Sequence, residues 1–326
     1  MGPGVRLESL TYAGIAPLPR WKLAADYAAY LVVRLVVCAL QAISPTTCEQ
    51  LARHGAWALW HVLRLRRRVI EENLAIAFPD STPAQRAAIA LEMWRHLLVM
   101  VAEVAHAPRK LHRTNWRDYS VIPDMAIMAR RFLDRRPMVV LTGHLGNFEM
   151  GGYLLGLHGF PTHTVARRLD NPFLDRWINE FRGRTGQHML EKTGSGPAIG
   201  ELLASGGTLA LLGDQYAGDG ACWVNFFGKP AATHKAVGLF TLGGEAPTAV
   251  CASLRRERIL QIQMTLGDLV DPADADCPVR TIPEVIQWYT GELEKLIRRA
   301  PGQYWWVHRR WKGTPPQRKR RAKKAA

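Results

Sequence analysis

Residues 137–149 read PMVVLTGHLGNFE, and this stretch decides the fold class. Its first six residues form a short apolar and β-branched run, which is typical of a buried strand. The run ends at Gly143 and His144, and the residues that follow are typical of a helix start. A buried strand that leads through a short loop into a helix is the building unit of a parallel α/β sheet.

The same alternation of short buried runs and amphipathic stretches continues towards the C-terminus. The predicted strands are PMVVLT (137–142), THTVA (162–166), TLALL (208–212), APTAVCASL (246–254) and ILQIQMTL (259–266). The last of these alternates apolar and polar residues, as an edge strand with one polar face would. The predicted helices of this part of the chain cover 173–182, 197–204 and 283–299. We therefore predict an α/β fold with a mostly parallel central sheet flanked by helices.

The N-terminal part of the chain has a different pattern and is predicted to be helical over residues 20–115. Thr82, Pro83 and Gln85 have the spacing of a helix start with a capping box. Residues 27–43 form a 17-residue apolar run with Arg34 in its middle. A spanning helix needs about 20 apolar residues, and a central Arg costs about 2.5–3.5 kcal/mol on insertion scales. Three readings therefore remain open: a spanning helix, an interfacial helix and a buried helix of a soluble protein.

Composition restricts the class of partner. The chain has 326 residues, 48% of them hydrophobic, which excludes a disordered protein. There are 43 Lys and Arg against 28 Asp and Glu, a net charge of +15. Such a surplus points to nucleic acid, an anionic membrane surface, or an acidic substrate or carrier. The five cysteines form no C-x-x-C pair and no secretory signal is evident, so we expect no metal site and a reducing, cytoplasmic setting.

His144 is the main candidate for a catalytic residue. It follows the carboxyl end of a predicted strand, where α/β proteins bind ligands. Glu149 lies five residues later and could hold one imidazole nitrogen, leaving the other free to take a proton from a hydroxyl. The alternative is that the two residues are only the polar start of a helix. There is no G-x-S-x-G nucleophile elbow, so direct transfer is favoured over a covalent acyl-enzyme.

Several short motifs, in order along residues 50–312, resemble those of one enzyme family. They are ENLAIAFPD (72–80), GHLGNFE (143–149), ARRLDNPFLD (166–175), GDQ (213–215), FFGKPAATHKA (226–236) and QYWWVHRRWK (303–312). Together they are similar to the bacterial lipid A late acyltransferases, the lauroyl and myristoyl transferases, within the lysophospholipid acyltransferase superfamily. The resemblance implies an enzyme at the cytoplasmic face of the inner membrane. It would move a fatty acyl chain from a thioester, usually on acyl carrier protein, to a hydroxyl of a lipid. Because the chain shows no metal-ligand spacing, we expect no metal or other cofactor.

The resemblance also implies roles for individual residues. His144 matches the general base and Glu149 its partner. The substrate-binding candidates are Arg167, Arg168, Asn147, Asp214 and Gln215. Either Arg167 or Arg168 takes the place of the family's arginine, and Asn147 could instead be a residue that only starts the helix.

The chain is accordingly divided into three parts. Residues 1–45 are the predicted membrane-associating segment, 46–313 the acyltransferase domain, and 314–326 a disordered basic tail. Two other functions stay open: a lysophospholipid or glycolipid acyltransferase that uses acyl-CoA, and a basic nucleic-acid-binding protein. The second is disfavoured because no nucleic-acid-binding module is recognisable. The aromatic and basic residues 304–312 could lie at a membrane interface or in a packed strand.

Overall fold

The N-terminal third of the computed structural model, which describes residues 19–218 and 220–316, is helical. Its four helices are α1 (Arg20–Ala42), α2 (Pro45–Trp57), α3 (Arg67–Ala77) and α4 (Pro83–Lys110). The predicted capping box at the start of α4 is present, since Thr82 and Gln85 each accept a hydrogen bond from the other's backbone N–H. This pairing satisfies two donors that a helix start otherwise leaves free.

A seven-stranded sheet forms the centre of the described part of the chain, in the order β1-β9-β8-β2-β5-β3-β4. Its strands are β1 (Ser120–Val121), β2 (Met138–Thr142), β3 (Thr162–Ala166), β4 (Gln187–Glu191), β5 (Thr208–Leu212), β8 (Thr248–Arg255) and β9 (Ile262–Val270). Every pairing is parallel except that of β8 with β9. A separate antiparallel hairpin consists of β6 (Cys222–Phe226) and β7 (Lys229–Thr233).

Six further helices surround this sheet. They are α5 (Met125–Leu133), α6 (Phe148–Leu157), α7 (Pro172–Gly183), α8 (Gly196–Ala204), α9 (Ala236–Gly243) and α10 (Ile282–Arg299). The largest hydrophobic core joins residues of β2, β5 and β8 to residues of α10, α4 and α3. The helical N-terminal region is therefore packed on the same core as the sheet.

The predicted fold class is confirmed, with differences at single elements. β4 was not predicted, because its sequence QHMLE is polar and it pairs only with β3 at the edge of the sheet. The hairpin β6–β7 was not predicted either. β9 begins at Ile262 rather than 259, because Leu260 has a positive φ of 68° in the turn before it. β9 lies one position inside the edge, where β1 pairs with two of its residues.

Helix α1 contains residues 27–42 of the apolar run, which ends at its C-cap Ile43, and most of the helix is exposed. Val37 is its one buried residue, which contradicts the reading of this run as a buried helix of a soluble protein. Within the described residues, α1 alone is long and apolar enough to cross a membrane, a property that signal sequences also have. Residues 1–18 and most of the predicted basic tail, 317–326, lie outside the described part of the chain.

Candidate active site

The ends of two neighbouring strands bring His144 and Asp214 together. β2 and β5 are parallel and in register, with Thr142 opposite Leu212. The two residues that follow each strand, Gly143-His144 and Gly213-Asp214, therefore lie side by side at the carboxyl edge of the sheet. His144 donates two hydrogen bonds to the Asp214 carboxylate, from its backbone N–H to Oδ2 at 2.7 Å and from Nδ1 to Oδ1 at 2.8 Å.

Small residues and a tyrosine hold the two strand ends at this separation. A Cβ on Gly143 would lie only 2.9 Å from Asp214 Oδ2 and 2.9 Å from Leu293 Cδ2. Glycine is therefore required for the close approach of this backbone to the carboxylate. The Tyr289 hydroxyl donates to the Thr142 carbonyl at 2.7 Å and accepts from the Gly213 N–H at 3.2 Å. It links the two strands directly beneath the pair.

The electrostatics of the pair fix which imidazole nitrogen carries the proton. Burial acts to raise the pKa of Asp214, but the charge of His144 and its hydrogen bonds outweigh it, so the net pKa is lowered. The buried cation Arg310 acts in the same direction. Asp214 is therefore ionised and can only accept, so Nδ1 of His144 is the donor. When the imidazole is neutral, Nε2 is then the acceptor, and the Gln215 side-chain nitrogen lies 3.2 Å from it.

Glu149 has a different partner from the one expected. Its carboxylate accepts from Arg182 Nε at 2.9 Å and from Nη2 at 2.5 Å, so the two side chains form a bidentate ion pair. Burial acts to lower the pKa of Arg182, but the hydrogen bonds and charge of Glu149 outweigh it and the net pKa is raised. The expected bond between Glu149 and the imidazole is thus corrected to one between Asp214 and the imidazole. Helix α6 turns Glu149 towards α7, which carries Arg182.

Asn147 lies inside the protein and starts helix α6. Its side chain accepts from the Met150 N–H at 3.1 Å and donates to Glu103 at 2.8 Å. Glu103 in turn makes a buried ion pair with Arg255. A fully buried side chain with these partners does not fit the substrate contact expected of Asn147, and it fits the alternative role as a helix-start residue.

His144 opens into a cleft of about 470 Å³. The imidazole packs against the rings of Phe148 and Trp305, with centroids 5.0 and 4.8 Å away. The cleft wall also contains Glu149, Gln215 and cationic side chains, which are Arg167, Arg182 and Lys192. Glu149 is the one carboxylate among the residues of this cleft wall, and it is already paired with Arg182. An anionic substrate therefore fits this site.

Arg167 and Arg168 lie on the same rim but are held differently. The side chain of Arg167 is 78% exposed, contacts Asp170 at 3.0 Å and lines both the cleft and a neighbouring depression. Arg168 forms an ion pair with Glu191 and lines the depression only. The structure therefore brings Arg167 to the cleft that holds His144, and Arg168 beside it.

A narrow second cavity of about 80 Å³ lies behind the cleft. Most of its lining side chains are apolar, among them Met128, Phe132, Val140, Leu155, Phe160 and Leu266. Phe148, Thr164, Gln187 and Leu212 line both this cavity and the cleft. The second cavity therefore adjoins the cleft at Phe148, whose ring packs on His144.

Tyr304, Trp305 and Trp306 of the C-terminal aromatic segment pack beside the site. The Trp305 N–H donates to the His144 carbonyl at 3.0 Å, and Tyr304 and Trp306 are buried. This packing contradicts the interfacial reading of Tyr304 and Trp306. Within the described residues, no group of three or more His, Cys, Asp or Glu side chains is placed to hold a metal ion.

Comparisons with known proteins identify the family of the chain. Residues 20–313 match the family described as bacterial lipid A biosynthesis acyltransferase. The chain is 24% identical to the lipid A biosynthesis palmitoleoyltransferase of Escherichia coli K12, over 83% of this chain and 86% of the relative. It is 26% identical to the lipid A biosynthesis myristoyltransferase of the same organism, over 79% and 78%. A lipid A biosynthesis acyltransferase of Haemophilus influenzae is 25% identical, over 81% and 84%. Since the family match covers most of the chain, this protein belongs to the bacterial lipid A biosynthesis acyltransferases.

Proposed function

We propose that the protein moves a fatty acyl group from a thioester donor to a hydroxyl of a lipid A-type acceptor, with His144 as general base. The observation that carries the proposal is the His144–Asp214 pair, with the His144 side chain in the cleft wall and Nε2 as its hydrogen-bond acceptor. Nε2 takes the proton of the acceptor hydroxyl while its oxygen attacks the thioester carbonyl. The tetrahedral intermediate then expels the thiolate, which receives the proton from His144.

Gln215 marks the place of the acceptor hydroxyl in this mechanism. Its amide nitrogen lies 3.2 Å from His144 Nε2, and the Gln215 side chain is only partly buried. The hydroxyl must reach the same nitrogen, so Gln215 moves aside and can then bond to the bound acceptor. Asp214 holds the imidazole and stabilises the imidazolium.

Direct transfer without an acyl-enzyme is supported by the state of the cysteines. Cys251 lines the apolar cavity behind the cleft, and burial raises its pKa to about 12. A thiol with such a pKa is almost fully protonated at neutral pH and is a weak nucleophile. This state of Cys251 supports direct transfer of the acyl group from its thioester to the acceptor oxygen.

Glu149 has an indirect role in the proposed mechanism. Its bidentate bond holds Arg182 at the cleft wall, where the guanidinium can bind the anionic part of a substrate. Loss of the Glu149 charge would release Arg182 and leave a largely buried cation without its partner. We therefore propose Asp214 as the residue that orients His144, and Glu149 as the residue that orients Arg182.

Arg167 is proposed to bind an anionic group of the acceptor. Arg167→Ala is expected to raise the KM for the acceptor about 10–100-fold, because a charge-assisted hydrogen bond contributes about 1.5–3 kcal/mol. Steady-state rates at varied acceptor and at varied donor concentrations measure the effect. Arg113→Ala, which removes an exposed arginine after α4, is the control. An unchanged acceptor KM would exclude Arg167 from acceptor binding.

The apolar cavity behind Phe148 is proposed to take the acyl chain. Ala210 of β5 lines this cavity, and Ala210→Leu would fill part of it. We expect at least a tenfold lower kcat/KM for the longest chain that the enzyme uses, and a smaller effect on short chains, since one methylene is worth about 10–200-fold in such pockets. Competition between donors of different chain length measures the preference. Ala210→Ser, which keeps the volume, is the control, and an unchanged chain-length profile would contradict the assignment.

The donor is proposed to be acyl carrier protein, and the enzyme to act at the cytoplasmic face of the inner membrane. Support comes from the net charge of +15, which complements an acidic carrier. The exposed apolar helix α1, at the end of the proposed membrane segment 1–45, supports membrane association. The experiment is transfer by the purified protein from acyl carrier protein and from acyl-CoA, with the lipid product identified by mass spectrometry. Transfer from neither donor would refute the proposed function.

A further inference from the structure

The turn between α2 and α3 exposes a row of large apolar side chains. Helix α2 widens into one turn of π-helix, Ala58–Val62, and the chain then runs through Leu63 to Arg66. Trp57 is 56% exposed, Val62 62%, Leu63 67% and Leu65 47%. We name residues 57–68 the α2–α3 turn. Four large apolar side chains within nine residues form an exposed apolar patch, and such patches mark protein or membrane interaction sites.

The backbone of the α2–α3 turn holds these side chains outward. The Leu63 N–H donates to the Ala58 carbonyl at 2.9 Å and the Leu65 N–H to the Leu59 carbonyl at 3.1 Å. Arg64 and Arg66 have positive φ angles of 49° and 55°, which L-residues rarely adopt. Such strained positions concentrate at functional sites. The exposed conformation is therefore built into the turn.

The charge of the α2–α3 turn is of one sign. Residues 51–70 contain five arginines and no acidic residue. Arg67 and Arg68 pair with Glu71 and Glu72 on the next turn of α3. Among the described residues, no carboxylate lies within ion-pair distance of Arg64 or Arg66, which alternate with Leu63 and Leu65. The turn thus presents leucines and unpaired guanidinium groups along one short segment.

The α2–α3 turn lies close to the active site. Asn73 of α3 donates to the carbonyls of Trp306 and His308, each at 2.7 Å, and so ties α3 to the segment that follows Trp305. His308 accepts from the N–H of Tyr216, the residue after Gln215, at 3.2 Å. Burial is the main cause of the lowered pKa of His308, and the charge of Arg66 contributes to it. The turn is therefore within electrostatic range of the catalytic edge of the sheet.

We propose that the α2–α3 turn is a second membrane-contact element, which docks on an anionic lipid bilayer beside the mouth of the active site. The leucines and Trp57 would enter the headgroup region, and Arg64 and Arg66 would bind lipid phosphates. This inference rests on the proposed lipid acceptor, because the turn would place the cleft where such an acceptor lies. An acidic carrier would be matched by the arginines, but it gives no reason for four exposed large apolar side chains.

The test uses an environment-sensitive fluorophore on the full-length chain. In a Cys38→Ser/Cys222→Ser background, Leu63→Cys or Leu133→Cys is labelled with NBD, and the unsubstituted background measures labelling of other cysteines. Leu133 is also exposed, at 75%, but it precedes β2 and therefore lies towards the amino ends of the strands, whereas His144 follows their carboxyl ends. On vesicles of phosphatidylglycerol and phosphatidylcholine, the label at 63 is expected to shift to shorter wavelength and brighten, and the label at 133 to stay unchanged.

Two outcomes would overturn the proposal and leave the acyltransferase function untouched. In the first, the protein sediments with the vesicles through α1 while both labels behave alike. In the second, the label at 63 responds to added acyl carrier protein without lipid and fails to respond to vesicles, which would make the turn a carrier site.

As a second measurement, Leu63→Glu/Leu65→Glu is expected to lower the ratio of activity on vesicle-embedded acceptor to activity on detergent-dispersed acceptor. Leu133→Glu should leave this ratio unchanged, and an unchanged ratio in the double variant would refute the proposal.

Discussion

Replacing His144 with alanine is expected to lower kcat by about 10²–10⁴, with little change in the KM for either substrate. In the proposed mechanism the imidazole takes the proton of the attacking hydroxyl at Nε2. Without it, the thioester donor should still bind in the cleft, so that only the chemical step slows. The measurement is the initial rate of acyl transfer at saturating donor and acceptor, set against the melting temperature of the same preparation.

The control for His144→Ala is His112→Ala, which removes an exposed histidine in the loop after α4. It should retain the parent rate. Activity of the parent enzyme should also fall on acidification, since a general base must be unprotonated to act. A well-folded His144→Ala protein with near-normal turnover would refute the general-base mechanism, whatever the identity of the donor.

The sheet could be predicted from the sequence because its central strands are buried or half-buried on both faces. Such strands give short runs of apolar residues, and the predicted limits of β3 and β5 agree with the structure to the residue. β4 has no such signal, since an edge strand with polar residues does not differ from a loop in periodicity. Local hydrophobic pattern thus located the strands that form the core and failed where a strand has one neighbour.

The partner of His144 could not be found from spacing along the chain. Glu149 is near His144 in sequence, but α6 directs it to α7, whereas Asp214 is 70 residues away and on the neighbouring strand. Only the strand order places β5 beside β2, and that order is a tertiary property. A usable signal was nevertheless present. Two predicted strands are each followed by a glycine and a polar residue, in LTGH (141–144) and LLGD (211–214). In a parallel sheet such ends meet at one edge.

The family assignment also separates the alternatives that composition left open. The net charge of +15 alone is compatible with nucleic acid, but the matched family consists of acyltransferases. Within the described residues, some of the cations lie at the sites proposed to bind a substrate or a lipid surface. Arg167 and Lys192 line the cleft, and Arg64 and Arg66 lie in the α2–α3 turn.

Asp214→Asn is expected to lower kcat by about 10²–10⁴, although aspartate and asparagine have almost the same shape. Asp214 accepts two hydrogen bonds from His144, one from the backbone N–H and one from Nδ1. Asparagine has one oxygen and one amide nitrogen. If the oxygen keeps the backbone N–H, the amide nitrogen faces Nδ1 and donates to it. The proton of the neutral imidazole then moves to Nε2, which can no longer accept the proton of a hydroxyl.

The stability of Asp214→Asn must be measured beside its rate, because Arg310 is buried nearby and loses an opposite charge. The lowered pKa of Asp214 in the folded protein means that ionised Asp214 adds stability above the ordinary carboxyl pKa. This contribution is lost as pH falls through the lowered value. The parent should therefore lose more free energy of unfolding on acidification than the Asn variant does.

A double substitution separates the roles of Asp214 and Glu149. If Asp214 acts through His144, then His144→Ala/Asp214→Asn should be hardly slower than His144→Ala alone, because both changes disable one unit. Glu149→Gln should instead act through Arg182 and add its own loss to that of His144→Ala. Two results would contradict this assignment. One is a folded Asp214→Asn enzyme with normal turnover. The other is an Asp214→Asn loss that adds to that of His144→Ala together with a Glu149→Gln loss that does not, which would indicate that Glu149 becomes the partner of the imidazole when substrates bind.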